Sequence, residues 1–173
     1  MKEYFPPHIY QSNTTYFISS HTCDNMDFFD ADMKKQLLLD VLFEKIKLFS
    51  LALFAWVVLS NHYHLLLMLT NEFNLPKFVK HFHGKSSLLL NKLNRQTNRK
   101  IWVNYWDRCI RSEKDFYLRL NYIHHNPVKH GVSLTMNYPY SSYKIYIERY
   151  GQEWIDDCFL QYPIRDFTLE HPD

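Results

Sequence analysis

Asn61-His62-Tyr63-His64-Leu65-Leu66-Leu67-Met68-Leu69 sets two histidines, one residue apart, at the head of an apolar run. On a strand, residues i and i+2 point to the same side of the sheet. His62 and His64 therefore share a face with Leu66 and Met68, and Tyr63, Leu65, Leu67 and Leu69 make an apolar face on the other side. Just upstream, Leu51 to Leu59 is apolar on both faces, as expected of a central, doubly covered strand. Ser60-Asn61 makes the short turn between the two.

Outward from this hairpin the chain alternates in period. Tyr16 to Thr22 reads as a first strand, rich in aromatic and hydroxyl residues. Asp24, Asn25 and Asp27 punctuate the turn after it, and Asp30 or Asp32 can cap a helix running to about Lys47. Leu38, Val41, Leu42 and Ile46 fall on one face of that helix. After the hairpin a long helix is predicted from about Leu75 to Thr97, then a strand over Tyr105 to Arg111. A last helix is predicted from Glu113 to about Asn126, with Ser112 as cap and Pro127 and Gly131 as stops. The order is that of an α+β fold, a ferredoxin-like β-α-β-β-α-β antiparallel sheet with an appended C-terminal helix. Residues 1–145 are expected to form one domain, with 146–173 an acidic C-terminal extension packed on it or trailing from it.

With 173 residues, 46% of them apolar, the chain has enough for one core, and only 3 Gly and 7 Pro argue against disorder. Met1 to Pro7 lacks the apolar run of a secretion signal. Leu48 to Leu59 is too short to span a bilayer as a helix. Cys23, Cys109 and Cys158 form no CxxC pair and read as reduced thiols. A cytoplasmic protein with no membrane partner is the expectation. The net charge of +2 hides a strong asymmetry: residues 1–72 carry −3, 73–150 carry +10 and 151–173 carry −5. No Asp or Glu occurs between Phe73 and Trp106, where there are 7 Lys or Arg. A basic middle suggests a face for a polyanion, with a solvated basic helix as the plainer account.

Two imidazoles on one strand face can reach one metal ion, and they can equally be a pair of partly buried, hydrogen-bonded histidines. The other such pair, His81 and His83, lies in the long helix, where i and i+2 diverge. A second constellation is Tyr122-Ile123-His124-His125-Asn126-Pro127 at the end of the last helix. Tyr122 and Asn126 are i and i+4 and share a face. The Asn126 carbonyl oxygen suits a hard cation such as Mg²⁺ or Mn²⁺. Taken alone, Tyr122 reads as core and Asn126 as a helix stop.

Together NHYHLLL (61–67), the basic FVKHFHGKSSLLLNKLNR helix (78–95), WDR (106–108), YIHHNPVKHGV (122–132) and YPYSSYKIY (138–146) resemble the single-tyrosine HUH transposases. The resemblance is nearest to the REP-associated tyrosine transposases of bacteria and covers roughly residues 10–145. It implies that His62 and His64 are metal ligands for Mg²⁺ or Mn²⁺ and that Tyr122 is the nucleophile. It sets Asn126 where insertion-sequence relatives often have Gln as third ligand, one methylene longer, with His125 as an alternative ligand or base. It also implies cleavage of single-stranded or hairpin DNA through a 5′-phosphotyrosine, in a bacterial cytoplasm and on the nucleoid. Lys77, Lys85, Lys92, Arg95, Arg99 and Arg108 would meet phosphates, and Trp102, Tyr105 and Trp106 would stack on bases. Insertion-sequence relatives work as dimers and the REP-associated group as monomers, so both a homodimer and a monomer stay open. Two rival readings remain at this stage. One is a catalytically inactive ferredoxin-like nucleic-acid-binding module; the other is a metal-dependent hydrolase that uses water, with Tyr122 incidental.

Overall fold

The computed structural model describes residues 13–70 and 75–164. The N-terminal stretch read above for a signal, and the acidic end beyond residue 164, lie outside them. In chain order the elements are β1 (Thr14–Thr22), α1 (Asp32–Leu48), β2 (Ala52–Val58), β3 (His62–Leu69), α2 (Leu75–Leu93), β4 (Trp102–Cys109), α3 (Glu113–Lys129), α4 (Tyr143–Tyr150) and α5 (Gln152–Gln161). The strands form one sheet in the order β2-β3-β1-β4, with every pairing antiparallel. This is the α+β, ferredoxin-like arrangement expected from the element order.

Both faces of the sheet are covered, because both faces of its central strands are apolar. On one side Tyr16, Ile18, Tyr63, Leu65 and Leu67 pack against Leu38 and Leu42 of α1 and Phe78 and Phe82 of α2. On the other, Phe17, Ala55, Val57 and Leu66 meet Leu120, Tyr122 and Ile123 of α3. A bulge in β2 helps the edge strand serve both cores. Leu53 pairs with Leu67 but Ala55 pairs with Leu66, so Phe54 is the extra residue, and Phe54 and Ala55 both join the α3 side.

Several boundaries differ from the expected ones. The long helix stops at Leu93, and the chain turns through a left-handed residue at Arg95 (φ 52°). Asn91 holds the returning segment by donating to the Arg99 carbonyl at 2.8 Å. The last strand begins three residues early, at Trp102, because that ring enters the α1/α2 core. Pro127 does not stop α3. It removes one N–H, yet the helix continues to Lys129. The stop is made at Gly131 (φ 65°), where the Gly131 N–H donates to the Val128 carbonyl at 3.0 Å and the Val132 N–H to the Pro127 carbonyl at 2.9 Å.

Beyond α3 the chain returns along the outer edge of β2. The Val58 N–H donates to the Tyr140 carbonyl and the Ser142 N–H to the Trp56 carbonyl, both at 2.9 Å. Asn121 of α3 donates to the carbonyls of Cys158 (3.0 Å) and Tyr162 (2.9 Å), tying α5 to α3. Among the described residues no helix is long and apolar enough to cross a membrane.

Candidate active site

The histidine face of β3 lies under α3. Pairing with β1 sets His64 opposite Ser19 and His62 opposite His21. The His64 ring is fully buried. It stacks on Phe17 (centroids 5.4 Å apart, planes at 16°) and meets the Tyr122 ring edge-on at 5.2 Å. The two imidazoles are 5.2 Å apart. His21 stacks on His62 at 5.2 Å, and His130 approaches it edge-on at 4.7 Å.

Asn126 reaches down from α3, placing its Oδ1 3.2 Å from His62 Nε2. The opposite ring nitrogen, Nδ1, is 2.7 Å from Asn61 Oδ1. The Asn61 amide is turned by its own Nδ2, which donates to the Asn25 carbonyl at 3.3 Å. An oxygen facing Nδ1 calls for the proton on Nδ1. That leaves the Nε2 lone pair pointed at the Asn126 oxygen. In the neutral imidazole two acceptors then face each other in a buried site, and either a proton on Nε2 or a bound cation relieves that. Nitrogens of His62 and His64 with one amide oxygen form a mixed donor set for a divalent cation, the oxygen being the donor that Mg²⁺ or Mn²⁺ prefers. Among the described residues no three His, Cys, Asp or Glu are grouped to hold a metal. Asn126 Oδ1, beside His62, is the oxygen that such a set could use.

Tyr122 is 5% exposed, one helical turn before Asn126 on the same side of α3. Its Oη accepts a hydrogen bond from Lys129 Nζ at 3.0 Å. The same ammonium lies 5.0 Å from the centre of the Tyr122 ring. Phe17 meets Tyr122 edge-on at 6.2 Å and carries the Arg119 guanidinium 5.5 Å above its ring.

The structure thus brings His62, His64, Tyr122 and Asn126 together. His125, three residues after Tyr122, points elsewhere. It lines a groove of about 830 Å³ with Val128, Leu134, Tyr143 and Ile147. His124 is buried and shares a hydrogen bond with Ser142 Oγ at 3.0 Å; burial pushes its pKa down to about 3. Sequence reasoning missed Lys129, Phe17, His21 and His130. The signal for Lys129 was available, since residues seven apart on a helix share a side. Phe17 and His21 needed the strand register, which spacing alone does not supply.

The nucleic-acid residues divide. Lys77, Lys92 and Arg95 are exposed, whereas Lys85 is engaged by Glu44. Arg99 bonds Asn91 Oδ1 at 3.0 Å and lies 4.7 Å over the Phe28 ring. Trp102 corrects the expectation of a base-stacking platform. It is 5% exposed, between Phe29 (5.2 Å) and His83 (4.8 Å), and its Nε1 donates to Ser86 Oγ at 3.0 Å. Tyr105 is half-buried against the same core. His83 is held there too. It accepts from the Tyr63 hydroxyl at 2.7 Å, and burial lowers its pKa to about 3. Arg108 is exposed and pairs across the sheet with Phe17, on the histidine side, 3.9 Å from Asp115. The α2 stripe lies on the other side of the sheet from His62 and His64.

Comparison with known proteins gives four matches. A family model described as IS200-like transposase matches residues 10–126. The chain is 34% identical over 110 residues to a protein of Haemophilus influenzae assigned as a REP-associated tyrosine transposase, covering 56% of this chain. It is 31% identical over 108 residues to a REP-associated tyrosine transposase of Escherichia coli, covering 60% of this chain. The chain spans 62% of the length of each of these relatives. Among solved structures, a REP-associated tyrosine transposase bound to a REP hairpin has a TM-score of 0.72 over 100% of this chain and 94% of that one. At 23% identity this likeness is one of fold.

Proposed function

Since the chain belongs to the IS200-like transposase family, we propose that it cuts and rejoins single-stranded DNA at hairpin-bearing sites, with Tyr122 as the attacking group. The observation that carries this reading is the meeting of one phenol with His62, His64 and Asn126 on a single sheet face. A tyrosine merely filling the core would not need its hydroxyl beside an ammonium and its ring against His64.

In the proposed reaction Oη of Tyr122 attacks the scissile phosphorus, and the bond from phosphorus to the 3′ oxygen breaks. The products are a 5′-phosphotyrosine and a free 3′ hydroxyl. The phosphodiester energy stays in the aryl ester, so a 3′ hydroxyl can reverse the step without a nucleotide cofactor. The buried setting of Tyr122 limits the access of water to the ester. His62, His64 and Asn126 are the residues that would hold Mg²⁺ or Mn²⁺, and a divalent cation there would polarise the scissile phosphate and offset its charge. Arg108, paired across the sheet with Phe17, is proposed as a phosphate contact on the histidine side. Lys77, Lys92 and Arg95 are proposed to engage DNA on the other side of the sheet. The hairpin bound by the solved relative supports a hairpin-bearing substrate.

The test is incubation with labelled hairpin single strands and Mn²⁺, resolved on a denaturing gel, with peptide mapping of any adduct. The wild-type protein is expected to form a covalent adduct mapping to Tyr122. Tyr122→Phe is expected to bind the same DNA with near-equal affinity and form none. Free hydrolysed ends from both proteins would refute the reading, as would an adduct on another tyrosine.

A further inference from the structure

We propose that Lys129 is a second catalytic residue of this reaction, the cation that stabilises negative charge on the Tyr122 oxygen during both cutting and rejoining. The inference rests on the reading of Tyr122 as nucleophile. Lys129 follows Tyr122 by seven residues in α3, close to two turns at ~3.6 residues each. Side chains on a helix lean toward its N-terminus, which carries the ammonium back along α3 to the phenol. Nζ stands 3.0 Å from Oη as a hydrogen-bond donor.

The placement is selective. Lys129 sits in the last turn of α3, where the C-terminal carbonyls attract a cation, yet its ammonium is turned to the tyrosine. The lysine is otherwise exposed, while the phenol is 5% exposed with His64 and Phe17 at its sides. A charge held beside a buried oxygen acts through a lower effective dielectric than water's. A compact, rotatable ammonium also suits an oxygen that must move toward phosphorus and back.

The balance of the step shows where such a charge acts. In cutting, the bond from Oη to phosphorus forms and the bond from phosphorus to the 3′ oxygen breaks. The phenol proton leaves to solvent, and the 3′ oxygen takes one from solvent. In rejoining, the 3′ hydroxyl gives its proton to solvent and attacks, and the electron pair of the Oη–phosphorus bond returns to Oη, which takes a proton from solvent. Lys129 faces the charge-bearing oxygen in both directions.

The test compares wild type, Lys129→Met, Lys129→Arg and Tyr122→Phe in single-turnover adduct formation, in rejoining by purified adduct, and in affinity for hairpin DNA. Lys129→Met is expected to slow cutting and rejoining by about 10²-fold each, the loss typical of removing one preorganised donor, with DNA affinity and melting temperature nearly unchanged. Lys129→Arg keeps the charge and should stay within about tenfold of wild type. Lys129→Met cutting and rejoining at wild-type rates, while Tyr122→Phe forms no adduct, would overturn the role of Lys129 and leave the function standing. A loss confined to DNA affinity would overturn it too, making Lys129 a phosphate contact. No adduct from wild type would overturn both readings.

Discussion

Asn126 shows how much one side chain decides. Its type and its spacing from Tyr122 mark it in the sequence as a candidate oxygen ligand. The same residue also reads as an ordinary helix stop before Pro127. What favours the ligand reading is its 3.2 Å approach to His62 Nε2 in a buried site. The outcome for Asn126→Ala follows. Mn²⁺ affinity should fall by about ten- to a hundredfold, on the scale of losses seen even for groups one step removed from a metal. Calorimetric titration of the folded variant measures this. Unchanged affinity would put the third ligand elsewhere, with His130, 4.7 Å from the His62 ring, the first to examine. The histidine pair was legible because a two-residue period on a strand is unambiguous. His125 was not, because neighbours on a helix diverge by about 100° and only packing shows which one meets the sheet.

Among the elements, α3 and the segment that follows it depend on each other. Ser142 is nearly fully buried. Its Oγ accepts from the Trp56 N–H at 3.1 Å and shares a hydrogen bond with His124 Nε2 at 3.0 Å. One hydroxyl therefore joins the edge of β2, the middle of α3 and the start of α4. Ser142→Ala leaves a buried backbone donor and an imidazole without that oxygen. A loss of about 1–3 kcal/mol is expected, read from the urea unfolding midpoint. A loss below roughly 0.5 kcal/mol, the range of ordinary surface substitutions, would show that the 138–142 segment does not anchor α3. At this scale the order and type of the main elements could be read from periodicity. Their ends could not. Pro127 reads as a stop because it lacks a donor, but α3 continues past it to the Gly131 turn.

Across the whole molecule, basic charge lies on both faces of the sheet and the candidate chemistry on one. The +10 middle of the chain supplies α2 on one side of the sheet and Arg108 and Lys129 on the other. Binding to hairpin single strands is expected to weaken with salt at a log–log slope of roughly −0.7 per phosphate neutralised. Replacing Lys77 and Lys92 together with Gln should flatten that slope by about 1.4 if each meets one phosphate. Fluorescence anisotropy between low and physiological salt measures both, and a slope unchanged by the double substitution would remove α2 from the DNA path. By itself the sequence determined the α+β element order, the shared face of His62 and His64 and the helical alignment of Tyr122 with Asn126, because strand and helix periods are local properties of the backbone. Only the tertiary structure decided that α3 covers the histidine face while α2 lies opposite, and that Trp102 is core. Those facts depend on strand register and on which helix packs on which face, contacts between residues far apart in the chain that no local period encodes.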